Sequence, residues 1–161
     1  MSTTTDYADR RFDLVAWQGI AGTVPPTRLK PLVPALALPG EGGTILTGVA
    51  KMAQRATLIL LTERRSLKYL EEIGTLFMME ARQGRWRTTL DVQQSFYASL
   101  VDVRRQMERT VRADDPADEI LADGKMLSVG LAGDRVEIGV QWVSQAGTDF
   151  KMIAPIATVV K

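Results

Sequence analysis

Histidine and cysteine are both missing from this 161-residue chain. Without Cys there is no disulfide and no thiolate nucleophile. Without either residue, Cys/His zinc sites, His acid–base catalysis and every His-containing triad are excluded. Carboxylates, Lys, Tyr and Ser/Thr are what remain for chemistry. An excess of one charge is also missing, since 20 Lys and Arg stand against 19 Asp and Glu for a net +1. That balance argues against a protein whose task is gripping the phosphates of nucleic acid. No stretch approaches the roughly 18 apolar residues that span a bilayer. The opening MSTTTDYADRRFDLVAW has no basic region followed by an apolar run, so no signal peptide is read there. The expectation is a soluble protein made in a cytoplasm, with which the lack of Cys is compatible. A 45% hydrophobic and 24% charged chain of this length suits one globular domain with a single core.

Proline is present, and five of the seven are concentrated near the N-terminus. Pro25, Pro26, Pro31, Pro34 and Pro39 fall in one stretch, TVPPTRLKPLVPALALPGEGG. Each fixes φ, removes a donor and pushes its predecessor toward extended geometry. Residues 1–43 are therefore read as an extended N-terminal arm, and 44–161 as one domain. Trp17, Leu32, Val33, Leu36 and Leu38 make the arm too apolar for a free linker. It serves either as an arm on a neighbouring subunit or as a lead-in packed on its own domain. The glycines of PGEGG lack the preceding strand and the following Lys-Ser/Thr of a phosphate loop, so they are read as a turn.

From Thr44 to about Thr62, Ile45, Val49, Met52, Ala53, Ala56, Ile59 and Leu60 recur at spacings of three and four, which predicts a helix. Lys51 and Arg55 lie off that stripe and, with Arg64 and Arg65, are expected to face solvent or neighbours. Ser66 is the expected N-cap of a short helical piece over 67–73. TLFMMEA (75–81) fits a strand or a helical turn equally, and a turn follows at Gly84. The longest helix opens at Thr88 or Thr89 with Asp91 near its positive end. Val92, Phe96, Leu100, Val103, Met107 and Val111 form its stripe, and Pro116 prevents it from continuing far past Ala113. The period then becomes two. Leu127, Val129 and Leu131 alternate, Gly133-Asp134 reads as a hairpin turn, and Val136, Ile138, Val140 and Trp142 alternate again. FKMIAP is a third strand that Pro155 ends or confines to an edge. Two main helices packed on a small C-terminal antiparallel sheet define an α+β fold.

Each polar cluster has a plain structural explanation. Glu71 and Glu72, if helical, point about 100° apart and cannot flank a sugar as a glycosidase pair does; Glu63 and Glu80 lie nearby. Asp114, Asp115, Asp118, Glu119 and Asp123 lack the Asp-x-Asp-x-Asp-Gly register of a calcium loop. They follow the Arg-rich end of the long helix, so charge pairing explains them more cheaply than a metal. Arg82, Arg85, Trp86 and Arg87 form a basic loop of residue types favoured at protein interfaces. The methionines are core or interface filler. No cofactor and no metal is expected. The strand Val136, Glu137, Ile138, Gly139, Val140, Gln141, Trp142 and Val143 carries no dense run of Lys to protect it. It is read as a sheet edge, either covered by the N-terminal arm or open to a partner strand.

One ordered set of residues goes further than composition. Thr47-Gly48-Val49, Lys51, Met52-Ala53-Gln54, Leu60-Leu61-Thr62-Glu63, Ser66, Tyr69 and Gly74-Thr75 resemble the opening motif of the gene twenty-five-like baseplate wedge proteins of contractile-tailed phages and related injection machines. The resemblance spans roughly residues 42–155 and continues through the long helix, the acidic Pro-containing break and the C-terminal meander. Two places depart from the family pattern. Asp114-Asp115-Pro116-Ala117-Asp118-Glu119-Ile120 stands where a Glu-Pro-Arg motif is frequent, and Arg65-Ser66 stands where Gly-Ser is.

The resemblance implies a fold similar to the C-terminal domain of the tail sheath protein. It also implies a structural, non-enzymatic role in the virion baseplate. Partners would be other wedge proteins and the sheath, with tube or hub as further candidates, in multiple copies of a symmetric assembly. It implies no nucleic acid and no membrane. Strands of the first sheath ring would add to the sheet. The alternatives are another tail or neck connector, or a cell-wall hydrolase in keeping with the family's old lysozyme label.

Overall fold

A computed structural model describes residues 13–14, 45–132 and 135–157. The Pro-rich stretch, with Trp17, Leu32 and Leu36, lies outside the described residues, as does the Gly133-Asp134 turn. Helices and a three-stranded antiparallel sheet make the fold α+β, as expected.

The chain enters through a two-residue ladder, in which β1 (Asp13–Leu14) pairs antiparallel with β2 (Ile45–Leu46). This ladder takes the first residues that the apolar spacing gave to the helix, and α1 runs over Gly48–Leu61. Gly48 enters it with a positive φ of 60°. Thr47 makes no side-chain cap. Its place is taken from afar, since the Gly48 N–H donates to Glu119 Oε1 at 3.0 Å. Met52, Ala53, Ala56 and Leu60 form the buried stripe that the spacing predicted. At the far end the Thr62 N–H bonds back to Leu58 and Ile59, and its extended ψ of 124° turns the chain out of the helix.

The expected short helix at 67–73 does not form. A run of turns replaces it, with hydrogen bonds Ser66→Glu63, Leu70→Leu67 and Ile73→Leu70. A sequence signal for a cap sets no helix where too few apolar residues follow to bury a face. The ambiguous stretch at 75–81 resolves as a helix, α2 (Phe77–Arg82), with Phe77 fully buried. Next, α3 covers Thr89–Glu108 and begins with a capping box: the Asp91 N–H donates to Thr88 Oγ1, and the Thr88 N–H donates to Asp91 Oδ2. Val92, Phe96, Leu100, Val103 and Met107 are buried as predicted, but the helix stops five residues before Ala113 and Val111 is exposed. The stop is a tightening into bonds from Thr110 to Met107 and from Val111 to Glu108.

A short 3-10 turn, Ala117–Glu119, leads into the sheet. Its strands are β3 (Leu121–Ala132), β4 (Arg135–Ser144) and β5 (Asp149–Ala157), in the order β3-β4-β5. Val136, Ile138, Val140 and Trp142 all face the core, as their alternation predicted. On β3 the expected set is only partly right. Register shifts between Leu121 and Asp123 and between Met126 and Ser128 alter the alternation. The inward apolar positions become Leu121, Met126 and Val129, while Leu127 is exposed. A bulge inserts one residue and so changes which side chains share a face.

Helices and sheet share one core. The Trp142 ring lies 6.2 Å from that of Phe96, tilted 44° to it, and its indole N–H donates to Thr57 Oγ1 at 2.9 Å. Burial of each such large side chain stabilises the fold by roughly 1.5–3 kcal/mol. Gly124 is where that ring crosses β3, and a Cβ there would lie 2.6 Å from the ring. The glycine is required by contact rather than by a turn.

Candidate functional site

The motif residues at 47–75 serve to fold the chain. Lys51, expected to face solvent or a neighbour, is buried, and its Nζ lies 2.5 Å from Glu119 Oε2. Glu119 thus caps α1 with one oxygen and holds a buried cation with the other. This ties the first helix to the turn that launches β3. Gly74 has φ of 101°, and a Cβ would sit 2.4 Å from the Thr62 carbonyl. Gln106 of α3 clamps Gly74, accepting from its N–H and donating to its carbonyl, both at 2.9 Å. Thr75 is buried, with its hydroxyl donating to the Leu60 carbonyl. Ser66 is exposed, and so is Tyr69, at 87%. Tyr69 lines an open groove of about 550 Å³ with Leu58, Ile59, Leu70 and Ile73, rimmed by Arg55 and Arg109.

The acidic residues are largely accounted for by pairing. Besides Glu119, Asp123 is ion-paired with Arg104, the basic end of the long helix meeting the acidic segment as expected. The Asp115 carboxylate accepts from the Arg112 N–H. Glu63 pairs with Arg82 at 2.5 Å, Glu72 with Arg109 at 2.9 Å and Glu80 with Arg85 at 3.8 Å. Glu71 and Glu72 sit in the run of turns rather than on a helix. Asp91 is held by the cap of α3. The backbone N–H of Thr88, then its hydroxyl, then the N–H of Arg87 hold this carboxyl below its ordinary range.

The predicted basic loop divides. Arg82, Arg85 and Arg87 are exposed. Trp86 is not a free aromatic. It is half-buried, with its ring 4.5 Å from Phe77, and belongs to the margin of the core.

The strand from Val136 to Val143 is not an edge. It is the body of β4, paired with β3 on one side and β5 on the other, so its main-chain groups are used within the chain. An antiparallel strand with one apolar face has the same alternation at the centre of a sheet as at its rim. The short connections on both sides were the available signal, because the middle strand of a meander pairs twice. Among the described residues, no strand pairs with the outer side of β3 or of β5.

Those two outer strands differ. β5 carries Lys151 and, opposite Glu137, Pro155, which has no N–H to offer. In β3 the segment Leu127-Ser128-Val129-Gly130-Leu131-Ala132 has neither a charge nor a proline. From Ser128 onward its pairing with β4 is regular, and Leu127 and Leu131 are exposed. That segment, absent from the sequence-based site, is the part of the sheet best suited to accept another strand.

Comparison with protein-family models, with curated proteins and with solved structures gave no match.

Proposed function

We propose that this chain is a structural subunit of a contractile-tail baseplate wedge, on which the sheath begins to assemble by adding a strand to an outer strand of the sheet. The observation that carries this reading is the unprotected half of β3, at 127–132, on a sheet with two unpaired outer sides among the described residues. Main-chain hydrogen bonds supply affinity in such an addition, and exposed Leu127 and Leu131 supply the apolar contact. The resemblance of residues 47–75 to the wedge family supplies the identity of the partner. The arginine-paired carboxylates give the hydrolase alternative little support.

A cryo-EM map of the assembled particle tests the proposal. The expected density places the chain at the junction of baseplate and sheath with a neighbour's strand beside β3. Leu127→Lys with Leu131→Lys is expected to leave the chain folded and to yield baseplates without sheath. Density elsewhere in the tail, normal sheath on that variant, or cell-wall clearing by the purified chain overturns it.

A further inference from the structure

The side of the molecule beyond β3 has a second apolar layer that strand addition does not use. Leu90, Tyr97 and Val101 of α3, spaced seven and four apart, lie between 49% and 58% exposed. That spacing puts them on one flank of the helix. The flank is fixed by neighbours. Arg104, on the same side, bonds Asp123 of β3, whereas Asp102 and Gln106 reach the other way to Arg64 and Gly74. The stripe therefore faces outward above the open side of β3.

The two elements also run in opposite directions. Leu100 lies over Gly124 and Arg104 over Asp123. At about 1.5 Å per helical residue and 3.3 Å per strand residue, Leu90 lies level with about Val129 and Val101 just beyond Gly124. The middle of the stripe falls level with Met126.

We infer that the occupant of this side in the free protein is a second copy of the chain. The two copies are related by a two-fold axis perpendicular to the sheet at the level of Met126. Such an axis sets the two α3 helices side by side and antiparallel. Leu90 of each then meets Val101 of the other, and the two Tyr97 residues lie near the axis. The open sides of the two β3 strands come together beneath them. A self-complementary patch of this kind is what a two-fold contact requires.

The area suffices. A 20-residue helix is about 30 Å long, and helix plus sheet stand about 20 Å high, giving on the order of 600 Å² per copy. That is at the lower end of a standard interface of roughly 800 Å² per partner. A net charge of +1 sets up little repulsion between copies. The dimer hides the edge that the proposed function gives to an incoming strand. Its role as a resting form rests on that reading, although its existence does not.

The cysteine-free sequence makes cross-linking specific. The full chain is expected to sediment at twice its monomer mass. An oxidised mixture of Leu90→Cys and Val101→Cys chains should form mixed disulfides well in excess of either chain alone, and Tyr69→Cys in the groove should form none. Val101→Lys is expected to weaken dimerisation at least tenfold with an unchanged circular dichroism spectrum. A folded monomer at about 100 μM, equivalent to a dissociation constant too weak to matter, overturns the inference. So does a dimer indifferent to Val101→Lys. Neither result depends on whether baseplates carry sheath.

Discussion

β3 and β5 border the same sheet, flank the same central strand and end in opposite circumstances. β5 is guarded by Lys151 and Pro155, and β3 ends in six residues with no guard at all. Natural sheets seldom leave such an edge bare unless something covers it. The contrast shows that the two outer strands of one small sheet differ in how open they are to a further strand: one carries residues that disfavour addition, and the other, over 127–132, carries none.

The harshest way to break this comparison is to remove what both edges share. Trp142 pairs across to Gly124 of β3 and Phe150 of β5 and is wholly buried. Trp142→Ala is expected to cost about 3–5 kcal/mol in urea unfolding. Amide exchange should rise in both outer strands alike. Next comes a change felt on one side. Glu119→Ala removes the cap of α1 and a partner of buried Lys51, and should cost about 3 kcal/mol. Faster amide exchange is expected at the start of β3, with β5 little changed.

A third experiment abolishes the difference itself. Lys151→Thr with Pro155→Val removes the guards from β5, with stability expected to stay within about 0.5 kcal/mol. The variant should associate even when Val101→Lys has disabled the β3 side, as light scattering against concentration would reveal.

The smallest effect concerns the start of α3, above the bare part of β3. The Asp91 carboxyl is held below its ordinary range in the folded chain. Its contribution is therefore complete above the ordinary carboxylate value of about 4 and is lost as pH falls through the lower folded value. Asp91→Asn should lower Tm slightly at pH 7, and that gap should close as pH falls below the ordinary carboxylate range.

Much of the scaffold was legible. The stripe Met52, Ala53, Ala56 and Leu60, the stripe from Val92 to Met107 and the alternation from Val136 to Trp142 each declared an element and its buried face. Periodicity has this power because burial acts on the side chains that a regular backbone aligns. The candidate site was far less legible. The run at 136–143 was placed on the rim and lies at the centre. The bare half of β3 was hidden by a bulge that turned Leu127 outward. Lys51 looked solvated because its partner stands 68 residues away.

By itself, then, the sequence determined the α+β class, the major helices and strands, and the absence of cysteine and histidine chemistry. Those are local or compositional matters, decided within a few turns of chain. Only the tertiary structure decided which strand has an open side, which charge is buried and which flank of α3 lies above β3. Such facts depend on how elements distant in sequence pair and pack, and no periodicity within a single element records them.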